Sequence, residues 1–303
     1  MKKNIIKNTA IALGTVVFFL VLSYAFVLPV LDGKVVNQSD ISGHIGMSRE
    51  MVEWNSSHPD DPALWTGSMF SGMPTVSISS IRKGDLTQWI YDMLLVGKRP
   101  ATYLFVALMG AFLLMLSLGL NWVVALVGAV AVAFCSYNFQ IIEVGHNTKM
   151  QAIAFMPWVL AGLVLTYKAS RGLFSRKDSL AGSLPLTALG AALFGVALSF
   201  QIKANHQQIT YYLAIMVFIY AIVEFVAALR SRKESRGGAV GRFFAASALL
   251  LVMGLAGVAA NMNKLLPLYE YTAHTMRGGS ELRAGGASDS GGLDLAYATA
   301  WSY

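Results

Sequence analysis

Residues Thr102 to Leu120 read TYLFVALMGAFLLMLSLGL, a run of 19 positions without one charged side chain. Wound as an α-helix at about 1.5 Å per residue, such a run is about 28 Å long, close to the roughly 30 Å hydrocarbon core of a bilayer. Six more runs of this kind flank it: Thr9 to Leu31, Trp122 to Phe139, Ala152 to Tyr167, Leu184 to Ile202, Ile209 to Leu229 and Phe243 to Ala260. The fold class that follows is all-α, a polytopic transmembrane helix bundle of about seven spans. Composition agrees. Only 13% of the 303 residues are charged, against about 25% in an average soluble domain, too few to cover a water-soluble surface of this size. The lone Cys135 excludes an intrachain disulfide and any cysteine-based zinc or redox motif. The first run follows Lys2, Lys3 and Lys7 and contains a small-x-small site at Ser23-Tyr24-Ala25. It continues to Leu31, beyond the length of a signal-peptide core, and reads as an uncleaved anchor.

Orientation follows from the basic residues between the spans. With the N-terminus in the cytoplasm, the inside segments hold Lys2, Lys3, Lys7, Lys168, Arg171, Arg176, Lys177, Arg230, Arg232, Lys233, Arg236 and Arg242, against only Asp178, Glu224 and Glu234. The other 11 positive and 13 negative residues fall outside. Every short loop obeys the positive-inside rule, so the net charge of +7 reports topology rather than an acidic partner. Nucleic-acid binding has no support. A nucleotide loop has none either, because Gly237-Gly238-Ala239-Val240-Gly241 lacks the strand before it and the Lys-Ser/Thr after it.

All five histidines fall outside with most carboxylates, in a long loop (32–100), two short connections and a tail (261–303). In the loop, Gly43 to Asn55 reads as a short helix. Leu86, Trp89, Ile90, Met93 and Leu94 form an amphipathic stripe suited to a helix in the membrane interface. Leu64 to Pro74 reads as a compact loop with no room for a strand ladder. The short connections are dense in polar groups: Glu143-Val144-Gly145-His146-Asn147-Thr148-Lys149, and Lys203-Ala204-Asn205-His206-Gln207. Ionisable groups this close to hydrocarbon are costly unless paired or wet, which makes them candidate site residues. Lysine, histidine and arginine converging at a membrane surface suit a phosphate, and a nearby carboxylate suits a general base. Asp40 is that carboxylate. His146, Lys149, Lys203, His206 and Arg277 are the phosphate-binding candidates, with Glu143, Asn205 and His44 in support. Glu143 and His146 have the spacing of one Glu-x-x-His motif, but a second is absent, so a di-iron bundle is not indicated. No metal ligands are assigned; a divalent cation is compatible with the set, and no other cofactor is implied.

Several of these stretches occur together in an order that resembles the YfhO family of bacterial membrane proteins, which are similar to glycosyltransferases of the GT-C type. They are Leu31-Asp32-Gly33-Lys34 with Gln38-Ser39-Asp40-Ile41, Ser68-Met69-Phe70-Ser71-Gly72-Met73-Pro74, Ile142 to Lys149, Ala204-Asn205-His206-Gln207-Gln208-Ile209-Thr210-Tyr211-Tyr212, Tyr269-Glu270-Tyr271, Arg277-Gly278-Gly279-Ser280-Glu281-Leu282, and Asp294 to Tyr303. The resemblance implies one GT-C-like membrane module over 1–303, an N-terminal portion of a longer protein, in the bacterial cytoplasmic membrane. Its active face would be extracytoplasmic. It also implies a polyprenyl-phosphate-linked sugar donor, an envelope glycopolymer or lipid as acceptor, and a catalytic carboxylate in the first outer loop, where Asp40 stands. A transporter or lipid flippase is one alternative, although no span has a charge at its centre and no repeat relates the halves. A non-catalytic envelope assembly protein is another.

Overall fold

The computed structural model describes residues 2–78, 87–95, 97–171, 180–231, 235–272 and 274–275. Seven helices or helix pairs among them are long and apolar enough to cross a membrane, as the apolar runs predict. They define a multi-pass, all-α membrane protein. The chain divides into two compact units: Met1–Ser42 with Leu86–Ala260, and Gly43–Asp85 with Asn261–Tyr303.

The first unit holds the spans. α1 is Lys2–Phe26, and the first residues of α2 (Ser39–Ser57) belong here too. There follow α3 (Gln88–Leu94), α4 (Ala101–Leu118), α5 (Trp122–Ala133), α6 (Ser136–Val144), α7 (Asn147–Ser170), α8 (Leu180–Lys203), α9 (Gln207–Leu229) and α10 (Arg236–Ala259). α7 is the central helix, with 67% of its span buried against 17% for α1 and α9. One side of α7 packs through Met150, Ala154 and Phe155 on Tyr103, Leu104 and Leu108 of α4 and on Phe200 of α8. Its other side packs through Val159, Leu163 and Tyr167 on Ala191, Phe194 and Ala197 of α8, with Leu213, Ala246 and Leu250. Small residues permit this. A Cβ on Gly162 would lie 2.4 Å from the Phe194 backbone nitrogen and 2.8 Å from the Gly190 carbonyl oxygen, so α7 and α8 are in backbone contact, as small-residue helix pairs in membranes are. At the ends of α7 and α9 away from His146, the buried Glu224 accepts from Arg171 Nη2 at 3.1 and 3.2 Å and from the Tyr220 hydroxyl at 3.1 Å.

One span differs from its predicted form. The apolar run from Trp122 is not a continuous helix: α5 ends at Phe134 and α6 starts after Cys135, whose backbone is extended. The polar insert Cys135-Ser136-Tyr137-Asn138 does this, and Asn138 Nδ2 donates to the freed carbonyls of Val132 (3.2 Å) and Ala133 (3.0 Å). Backbone groups released inside a membrane must be re-satisfied in this way. Phe26 of α1 stacks on Phe139 and meets Phe134 edge-on across the break.

The second unit contains the remainder of α2, a two-residue antiparallel pair of β1 (Trp65–Thr66) with β2 (Met73–Pro74), and α11 (Met262–Thr272). The pair corrects the expectation that 64–74 has no ladder. The carboxylate of Glu50 organises it, accepting from Thr66 Oγ1 at 2.6 Å and from the amides of Gly67 and Ser68 at 3.0 Å. These bonds, Thr66's foremost, hold the Glu50 carboxyl below the usual carboxylate range.

Candidate functional site

The site is built where α6 hands over to α7. Gly145 ends α6 with φ +106°, a conformation L side chains rarely adopt. A Cβ there would also lie 3.1 to 3.3 Å from Gln38 Cβ, Asp40 Cβ and Ile41 Cγ1. The missing side chain therefore makes the seat on which residues 38–41 rest. Gln38 locks them in place: its Nε2 donates to the Ile142 carbonyl and, at 3.2 Å, to Asn147 Oδ1, while Asn147 Nδ2 donates back to Gln38 Oε1 at 3.2 Å. Ser39 Oγ reaches the Val144 carbonyl at 3.4 Å. Two of the carbonyls left open at the end of α6 are thus satisfied by the segment they position.

The result is a close pair of imidazole and carboxylate, with His146 Nε2 at 2.9 Å from Asp40 Oδ2. The side chains are 45% and 51% exposed respectively, and a pair so open to water contributes about 1 kcal/mol at most. The amide clamp and the glycine seat, more than the pair itself, hold Asp40 where it is. Asp40 also lies in the first turn of α2.

His146 is the N-cap residue of α7 and Lys149 stands in the first turn, its Nζ 5.2 Å from the Tyr137 ring centroid. Three residues on, and so on the same face, Ala152 packs against Ala204 and Ile209. The turn between α8 and α9 accordingly lies against the face that bears Lys149. His206, the N-cap residue of α9, is in that turn, and its buried Nδ1 has no hydrogen-bond partner among the described residues. Burial first, then the charge of Lys149, and also His146, hold its imidazole below the ordinary histidine range, so it is neutral at pH 7. Asn205 beside it takes φ +62° and accepts from Gln207 Nε2 at 3.0 Å.

The structure therefore brings together Asp40, His146, Lys149 and His206 from sequence segments more than 50 residues apart. Lys203 has other partners. It is buried at the end of α8, donates to Thr87 Oγ1 at 3.0 Å and lies 5.4 Å from the Tyr91 ring centroid. Tyr91 donates in turn to Gln151 Oε1, and Gln151 Nε2 donates to Tyr103 at 3.1 Å. Burial pushes the Tyr91 phenol up, keeping it protonated. This chain also orients α3: Tyr91 faces the bundle and Ile90 packs against its core, while Trp89, Met93 and Leu94 are exposed, so the stripe read from sequence is divided between the two, and its Leu86 lies outside the described residues. Glu143 is exposed and makes no ion pair among the described residues; His44, on α2 in the second unit, is exposed as well. Arg277 and the tail beyond Thr275 lie outside the described residues, as do Arg176, Lys177, Arg232 and Lys233. Among the described residues no group of three or more His, Cys, Asp or Glu forms a metal-binding cluster.

Sequence reading misses Gln38, Asn147, Tyr91 and Gln151. Gln151 had a signal, a polar side chain four residues from Asn147 at the head of an apolar run. Gln38 stands in one of the stretches that carry the family resemblance, but in a loop with no period nothing pointed to its partners.

Fold and site define a multi-pass helical membrane protein with a carboxylate–imidazole pair and two further basic side chains at one end of its bundle. No family model matches the chain, and no curated protein or solved structure does.

Proposed function

We propose that the protein is a membrane glycosyltransferase resembling the YfhO family, moving a sugar from a polyprenyl-phosphate donor to an envelope acceptor on the outer face of the bacterial cytoplasmic membrane. The observation that carries this reading is the placement of Asp40 against His146, beside Lys149 and His206. In the reaction, Asp40 accepts the proton of an acceptor hydroxyl as its oxygen bonds to the anomeric carbon. The bond from that carbon to the phosphate oxygen breaks, and the lipid phosphate leaves with the electron pair, its charge met by Lys149 and by donors from His146 and His206. Arg277 and Lys203 belong to the same reading by their side of the membrane and their chemistry, Arg277 as a bidentate phosphate ligand and Lys203 as a cation beneath α3. No nucleotide is needed, because the donor linkage already holds the energy.

The test is donor-dependent sugar transfer by the chain in nanodiscs. Asp40→Asn is expected to lower the rate at least about 100-fold with expression and thermal stability intact. Full transfer by that variant would remove Asp40 from catalysis. Movement of lipid without transfer would favour the flippase reading instead.

A further inference from the structure

Beside Asp40 the described residues set one lysine and two histidines, Lys149, His146 and His206. A phosphate ester bound at Lys149 recruits further hydrogen-bond donors. The one nearest to Lys149 in sequence is His146, which in this structure is already paired with Asp40 at 2.9 Å. That pair is exposed, so its strength is small and its exchange cheap. As N-cap of α7, His146 makes no side-chain capping bond that an exchange would have to break, and Lys149 stands one helical turn away. His206 contributes a buried Nδ1 with no hydrogen-bond partner among the described residues.

The geometry points to an exchange: a phosphate ester bound at Lys149 and His206 takes His146 from Asp40, and the carboxylate is released to act only when the phosphate is in place. The inference rests on the transferase reading for its biological ligand but not for its test. The ligand chemistry is a phosphate mono- or diester, which a lipid headgroup and a free phosphate share.

The experiment is a double-mutant cycle on phosphate affinity with the whole chain in phosphatidylcholine nanodiscs. Inorganic phosphate is the probe in one arm and a polyprenyl phosphate in the other. If Asp40 competes for His146, Asp40→Asn tightens phosphate binding at least about fivefold. In a His146→Gln background the same change tightens it less than about twofold. Equal tightening in both backgrounds overturns the exchange, because Asp40 then acts only as a nearby negative charge. An unchanged affinity in Asp40→Asn, or no phosphate binding in either arm, overturns it too. A cycle closing as expected with inorganic phosphate alone supports the exchange and makes free phosphate the ligand; with polyprenyl phosphate it makes the ligand a lipid. Asp40→Ser, carried in parallel with thermal unfolding of each variant, separates the effect from misfolding. An intact cycle without sugar transfer sinks the transferase and leaves the exchange standing, whereas transfer with an additive cycle does the reverse.

Discussion

Gly145 and His206 show how much of the site rests on single residues. Gly145 meets two demands at once, a backbone conformation closed to most side chains and a seat for Gln38, Asp40 and Ile41. Gly145→Ala is expected to cost about 1–2 kcal/mol, read as a lower midpoint of unfolding in detergent. It should also lower transfer, since any relief of the clash moves Asp40. His206 governs a pH response. Its folded form binds a proton less readily than the unfolded chain, whose histidines titrate near 6.5. The unfolded state therefore takes up more protons in that range, and stability rises with pH. Its contribution is present above about 6.5 and is lost as pH falls toward the lowered folded value. Thermal unfolding between pH 5 and 7.5 should show this slope in the wild type and a shallower one in His206→Gln. Equal slopes would mean that His206 is as easily protonated folded as unfolded.

At the scale of elements, α7 does most of the packing. Gly162→Ala places a methyl 2.4 Å from the Phe194 backbone, a clash that no rotamer relieves because backbone is on both sides. Separation of α7 from α8 should cost about 1–3 kcal/mol, measured as lost thermal stability, and would strain the α8–α9 turn that holds His206. Existence of the spans was legible because a run such as Thr102 to Leu120 has only one explanation in water and lipid. Their ends were less so. Asn147 to Gln151 reads as a polar connection yet forms the first turn of α7, since unpaired helix amides favour polar residues there. The break at Phe134 was hidden for another reason: the insert from Cys135 to Asn138 is polar but uncharged and so passes as span, and the Asn138 side chain, bonding backward to two carbonyls, marks the interruption. Of the site, the members His146, Lys149 and His206 were visible as polar residues out of place. Their convergence was not, because it depends on Ala152 of α7, Ala204 of the α8–α9 turn and Ile209 of α9 meeting. Nor was the occupation of Lys203 by Thr87 and Tyr91, contacts 116 and 112 positions away in sequence.

For the molecule as a whole, the distribution of basic residues makes the orientation a measurable matter. In a Cys135→Ala background, a cysteine at Asp61 should react with a membrane-impermeant maleimide on intact cells. One at the exposed Gly237, where a side chain meets nothing within 4 Å, should react only after permeabilisation. The opposite pattern would place Asp40 in the cytoplasm and exclude an extracytoplasmic donor. The divided third span adds a mechanical property to this architecture. Its ladder of amides stops at Phe134 and restarts at Ser136, so the span has a joint, strapped by Asn138 and padded by Phe26. Both segments stay anchored in one core, α5 through Ala125, Ala129 and Ala133 and the 9-residue α6 through Ile141 and Ile142. Cys135 sits at the joint itself, so its exposed thiol can carry a probe to the place where the third span is interrupted without a charged residue.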